Sequence, residues 1–216
     1  MKLITLNTHS LIEKDYEQKL RYFAEMMIKE GVDVVALQEV NQRMDEVIVS
    51  PFDHPYYVAA EPEAVCRRGN HALRLANLLT ELGAKYYWSW VPIKISYDTY
   101  TEGAAIFSKE KIEDIQSVWI SINRVHEDWA ARKALGIKVK NNWFYSVHMG
   151  WWDDKREPFW VHWNTLREAV RRTCKTGEMC FVMGDFNCPA DIRNEGYDYV
   201  ESSGWFDTYK LAKKKD

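Results

Sequence analysis

The chain has 216 residues, a formal net charge of -3 and 28% charged residues, the size and balance of one large α/β or β-rich globular domain. No apolar run is long enough to span a membrane or has the form of a signal peptide, and Lys and Arg are scattered, which excludes a global electrostatic pull on nucleic acid. The four cysteines, Cys66, Cys174, Cys180 and Cys188, form no CxxC pair, so neither a zinc site nor a disulfide framework is expected and a reducing cytoplasm is the expected compartment.

In chain order, 2–9 reads as a buried strand ending in polar residues. Asp15 stands where a helix N-cap belongs, with Gln18 as a capping-box partner. Leu20, Phe23, Ala24, Met27 and Ile28 then recur at helical spacing up to a stop at Gly31. A second apolar strand, 33–37, ends in Gln38-Glu39. The stretch 44–70, with Pro51, Pro55 and Pro62, reads as loop. Leu75, Leu78, Leu79 and Leu82 mark a second helix ending at Gly83. Strand-like segments follow at 86–92, 104–108, 112–122, 134–139 and 143–148, a succession that favours antiparallel pairing. A third helix, 159–174, carries Trp163, Leu166 and Val170. An apolar strand then runs into Gly184-Asp185-Phe186-Asn187, and a short helix is expected at 197–202. With no repeat, linker or low-complexity segment, 1–216 reads as a single α/β domain of layered sheets with helices outside.

Polar residues recur just past the apolar runs: Asn7 and His9 after the first strand, Glu39 after the second, His148 after 143–148, and Asp185 with Asn187 after the last. Loops at one edge of layered α/β sheets commonly build a site. On an extended segment Asp185 and Asn187, two residues apart, would point the same way. A carboxylate beside an amide suits a hard cation or a phosphate oxygen. Singly, each residue also has a structural explanation: a turn for Asn7, a solvated strand end for Glu39, a hydrogen-bonded core imidazole for His148.

As an ordered set, Leu6-Asn7-Thr8-His9, Ala36-Leu37-Gln38-Glu39-Val40, Ser146-Val147-His148 and Gly184-Asp185-Phe186-Asn187 resemble the signature of the endonuclease/exonuclease/phosphatase superfamily, the group of deoxyribonuclease I. Glu102-Gly103-Ala104-Ala105-Ile106-Phe107-Ser108 resembles its central strand. The resemblance implies a four-layered αββα sandwich and Mg²⁺-dependent hydrolysis of a phosphoester, with Mn²⁺ as the alternative ion. It implies that Asn7 and Glu39 hold the metal, that Asp185 positions the attacking water, and that His148 and Asn187 contact the phosphate. It places Tyr97 or Tyr100, with Glu102 and His9, at a further phosphate or secondary position.

The family normally closes on a Ser-Asp-His element, and no histidine follows Asn187 in this sequence. The expectation is a C-terminally truncated chain lacking the closing strands and catalytically weak, with a degenerate member as the alternative. Trp151 and Trp152, after His148, offer flat indole faces suited to sugar rings. Together these features resemble a Gram-positive branch of the superfamily with sugar-phosphate phosphatases. The expected substrate is a small phosphorylated metabolite such as a sugar phosphate. The alternatives are a nuclease, which would need a local basic groove, and a non-catalytic binding module.

Overall fold

The computed structural model describes residues 1–215. Its frame is two four-stranded sheets lying face to face. In the first, β1 (Leu3–Asn7), β2 (Val34–Arg43), β6 (Tyr100–Ser108) and β5 (Tyr87–Ser96) lie side by side in that order. In the second the order is β10 (Cys180–Asp185), β9 (Asn142–His148), β8 (Lys133–Val139) and β7 (Asp114–Trp119). Helices α1 (Tyr16–Glu30) and α2 (His71–Glu81) cover the outer face of the first sheet, and α3 (Phe159–Thr173) that of the second. This is the αββα sandwich.

The layers follow from alternation along the strands. In β2, Val35 and Leu37 face the helices while Val34 and Ala36 face the other sheet. In β6, Ala105 and Phe107 take the helical side, and Ala104 and Ile106 the central one. In β9, Trp143, Tyr145 and Val147 pack under α3, and Phe144 packs between the sheets. Part of the aromatic enrichment is core material: Trp88, Trp90, Trp143 and Trp163 are fully buried, each burial contributing about 1.5–3 kcal/mol or more.

Each sheet contains one parallel pair joined by a helical crossover. These pairs are β1 with β2 through α1, and β9 with β10 through α3. Parallel partners present their carboxyl ends at the same edge, so Asn7 and Glu39 come from one sheet, and His148 and Asp185 from the other, to a common rim. The remaining ladders are antiparallel, as the run of strands predicts.

Several local expectations are corrected. Asp15 stands at the start of α1 in a left-handed conformation and makes no side-chain cap, so the capping box with Gln18 does not form. Gly31 does end α1, at φ 65°. Asn70 caps α2, its side chain accepting from the Ala72 and Leu73 amides at 3.0 and 3.1 Å. The stretch 44–70 holds a small hairpin, β3 (Ile48–Val49) with β4 (Cys66–Arg67). β2 does not stop at Leu37 but runs on to Arg43, interrupted by a bulge between Leu37 and Val40. The bulge keeps Leu37 and Val40 on the same face, and it is where Glu39 sits.

Candidate active site

Asn7, the last residue of β1, bridges the two sheets. Its side-chain Nδ2 donates to Glu39 Oε1 at 2.8 Å and to Asp185 Oδ2 at 3.0 Å. Two carboxylates thus share one amide, with their oxygens within about 6 Å, a range over which like charges repel strongly. Arg132 lies within electrostatic reach of both.

Glu39 reaches this place through the bulge. Its φ is 53°, a left-handed conformation that an unbranched side chain adopts at a cost. The neighbouring Gln38 holds the distortion. Buried Gln38 donates from Nε2 to Ser146 Oγ at 3.0 Å, and Ser146 Oγ donates to the Leu37 carbonyl at 3.0 Å, tying the second sheet to the bulge. Thr8 adds its amide and its hydroxyl to the Gln38 carbonyl at 3.0 and 2.8 Å. In the Gln-Glu pair, Gln38 fixes the backbone and Glu39 projects from it.

Asp185 closes β10, opposite His148 in register. Gly184 precedes it because nothing larger fits: a Cβ there would stand 1.9 Å from the Val147 carbonyl oxygen, at a φ of 155°. Asp185 Oδ1 accepts the Asn187 amide at 2.9 Å, an Asx-type turn. Asn187 then takes φ 48°. The two side chains therefore do not run parallel along an extended segment, as their spacing suggests. Asn187 Nδ2 turns aside to the Met149 carbonyl at 2.8 Å. That loop is held in turn by buried His162, whose Nδ1 accepts the Gly150 amide at 3.1 Å. The proton of neutral His162 is therefore on Nε2, 3.2 Å from Glu157 Oε1.

His148 Nε2 lies 4.0 Å from Asp185 Oδ2, too far for a hydrogen bond. Burial, then the charges of Arg132 and Lys94, push its pKa well below the ordinary imidazole value, so the ring is neutral at pH 7. Those two cations carry no motif in the sequence. Lys94 pairs with Glu102 at 3.2 Å, both nearly buried, and burial lowers the Lys94 pKa. Arg132, only 4% exposed, donates from Nη1 to the Trp129 and Ala131 carbonyls at 2.8 and 2.9 Å. Its buried Nε has no partner among the described residues. A buried cation that lacks a full set of acceptors beside two carboxylates is the signal sequence reading misses, because one Arg in a basic-acidic mixture looks like any other.

An open cleft of ≈ 720 Å³ is lined by Asn7, Gln38, Trp151, Asp185 and Asn187 among others. The other expected residues are placed differently. Trp152 does not line the cleft; its ring packs on Phe159 and Tyr199 at 6.3 and 5.9 Å. Tyr97 is 70% exposed in the β5–β6 turn, and Tyr100 pairs with Arg43 where β2 ends. Neither lines the cleft. His9 Nδ1 is taken up by Glu13 at 2.9 Å, while its amide donates to Asn7 Oδ1 at 3.3 Å.

The profile of the Endonuclease/Exonuclease/phosphatase family matches residues 4–206. The chain belongs to that family. Its members are hydrolases acting on phosphoesters, and the family generally uses a divalent metal. A solved family protein from Leptotrichia buccalis C-1013-b is 28% identical with a TM-score of 0.86, covering 100% of this chain and 79% of its own. The mannosyl-6-phosphatase of Bacteroides thetaiotaomicron VPI-5482 shares the fold at 15% identity and TM-score 0.57, with 94% and 69% covered. TDP2 from Caenorhabditis elegans shares it at 12% and 0.51, with 87% and 48% covered. None of the curated proteins matches the chain. Among the described residues no helix is long and apolar enough to cross a membrane.

Proposed function

We propose that this protein is a Mg²⁺-dependent phosphomonoesterase acting on a small phosphorylated metabolite, a sugar phosphate by class. The observation that carries the reading is the pair of carboxylates, Glu39 and Asp185, held on the single amide of Asn7, with Asn7 and Asp185 lining an open cleft.

The donor set fits a hard cation. Among the described residues no group of three or more His, Cys, Asp or Glu gathers around one point. Mg²⁺ does not need one: it keeps several waters and is usually held by one or two carboxylates plus substrate phosphate. The Glu39 carboxylate, which has no Lys or Arg ion pair among the described residues, and the amide oxygen of Asn7 beside it meet that requirement, with the Asp185 carboxylate adding negative charge next to them. Glu39 and Asn7 would hold the ion. When bound, it neutralises charge on the phosphoryl oxygens and the leaving group.

The chain's own groups supply the rest. Asp185, with one oxygen fixed by the Asn187 amide, orients a water by accepting its proton, work that raises a rate by about 10²–10⁴-fold. Neutral His148 donates a hydrogen bond to a phosphoryl oxygen, and the bond strengthens as charge develops there. Arg132 and Lys94 hold positive potential behind His148, which favours binding of an anionic phosphate group. Asn187 acts with the Met149 and His162 framework behind it.

Phosphate release from a panel of sugar phosphates by the full-length protein, with Mg²⁺ and with EDTA, tests the proposal. Mg²⁺-dependent release from at least one member is expected; none from any member sinks it. Plasmid nicking at comparable rates would replace it with a nuclease.

A further inference from the structure

The expected partner of Trp151, Trp152, packs inward, and a second exposed indole, Trp129, stands beside Trp151 instead. Trp151, which lines the cleft with Asn7 and Asp185, is 49% exposed, and Trp129 is 47% exposed. Their rings lie 5.7 Å apart at 44°. They come from different loops. Trp129 precedes β8 and Trp151 follows β9, and these strands are antiparallel neighbours, so both loops leave the second sheet at the site edge.

The pair is braced from behind. The Arg156 guanidinium lies over Trp129 at 5.9 Å from the ring centroid, and its Nη2 is anchored on Asp128 at 2.5 Å. Asp128 also accepts the Ala130 amide at 2.9 Å and the Asn123 side chain, which closes the Trp129 loop on itself. The Trp151 carbonyl accepts the Phe159 amide at 3.0 Å, at the start of α3. The Trp129 carbonyl takes Lys94 Nζ at 3.2 Å and Arg132 Nη1 at 2.8 Å. The aromatic wall and the cations behind His148 are therefore one rigid unit. Large aromatic faces left in water while their loops are fixed indicate a surface prepared for a ligand.

We propose that Trp129 and Trp151 form a subsite that stacks the sugar ring of a sugar monophosphate whose phosphate group lies at Asn7, Glu39, His148 and Asp185. The inference rests on the proposed function and adds the residues that select the substrate. An indole face suits the C–H face of a pyranose. The charges around the wall favour a monophosphate over a polynucleotide. Glu127, Asp128, Asp153 and Asp154 flank the two indoles, and Arg156 is already paired with Asp128. Across 124–130 and 151–156 these four acidic residues outnumber the basic Arg124, Lys155 and Arg156, so a phosphodiester backbone would meet no continuous basic track there.

The test is equilibrium binding by calorimetry to the whole chain with Mg²⁺. The ligands are glucose 6-phosphate, mannose 6-phosphate, glycerol 3-phosphate, inorganic phosphate and thymidine 5′-monophosphate. At least one hexose phosphate should bind about five- to tenfold more tightly than glycerol 3-phosphate, the contribution of one good stacking contact. Trp151→Ala and Trp129→Ala should each remove most of that ratio, and Trp→Phe at the same positions should restore part of it. Thermal melting confirms that the variants fold. Equal affinity for the hexose phosphates and glycerol 3-phosphate, or variants that leave the ratio intact, would overturn the sugar subsite while the phosphate site stands. Tighter, Trp-dependent binding of the thymidine nucleotide would replace it with a base-stacking platform. If neither inorganic phosphate nor any ester binds, the phosphate site fails and the subsite with it.

Discussion

Glu39→Gln offers the sharpest perturbation because it removes one charge and little else. The glutamine carbonyl can still accept from Asn7 Nδ2, as Oε1 does now at 2.8 Å. The wild-type carboxylates lie within about 6 Å of each other, and at an effective dielectric near 20 two unit charges at that separation repel by about 3 kcal/mol. Asp185 is 32% exposed in its side chain, so solvent screening reduces the figure to roughly 1–2 kcal/mol. Metal-free Glu39→Gln should therefore melt at or above the wild-type temperature. Mg²⁺ at about 100 times its Kd stabilises a native state by about 2.7 kcal/mol, or roughly 5–11 °C for a chain of this length. The wild type should show that increment between EDTA and MgCl₂ in differential scanning calorimetry. The variant should keep less than about a quarter of it, near 2 °C. An undiminished Mg²⁺ increment in Glu39→Gln would refute the assignment of Glu39 to the metal.

Three further outcomes follow from the same geometry. Gly184→Ala places a methyl group 1.9 Å from the Val147 carbonyl and should cost about 2–4 kcal/mol in urea unfolding; a change below about 0.5 kcal/mol would show that the turn tolerates it. Ser146→Ala strands the buried Gln38 donor and should cost about 1–3 kcal/mol. It should also weaken the Mg²⁺ increment, because the bulge carrying Glu39 loses its tie; an intact increment would separate the two. Burial, then the Arg74 charge, lowers the His71 pKa from its model-compound 6.5 to about 3. The unfolded state then binds the extra proton between those values, so stability is full above about 6.5 and falls as pH drops toward 3. His71→Gln should flatten that fall by about 1.4 kcal/mol per pH unit, one proton's share, and an unchanged slope would contradict the buried neutral imidazole.

Much of this was readable in the sequence where local pattern and tertiary role coincide. The crossovers β1–α1–β2 and β9–α3–β10 each announce themselves by an apolar strand, an amphipathic helix and a second apolar strand, and they carry Asn7, Glu39, His148 and Asp185 to one rim. In the sequence the strand reads as ending at Leu37 because a bulge leaves no local signature: Gln38 and Glu39 have the look of a polar strand end, while the ladder to β6 continues to Arg43. Trp152 departs from its expected place for a similar reason. Adjacent tryptophans look equivalent in sequence, and only packing on Phe159 and Tyr199 turns one inward. Arg132 and Trp129 carry no sequence signal because their meaning depends on the 13-residue excursion from Ile120 to Arg132 between β7 and β8, which meets Lys94 across 35 residues of chain.

The most direct measurement is the initial rate of phosphate release from the sugar-phosphate panel by wild type and Asp185→Ala, each with Mg²⁺ and with EDTA. The account predicts release by wild type with Mg²⁺ alone, and a loss of about 10²–10⁴-fold in the variant, with melting showing the fold retained. Release that survives EDTA, or an Asp185→Ala protein working at the wild-type rate, would contradict it.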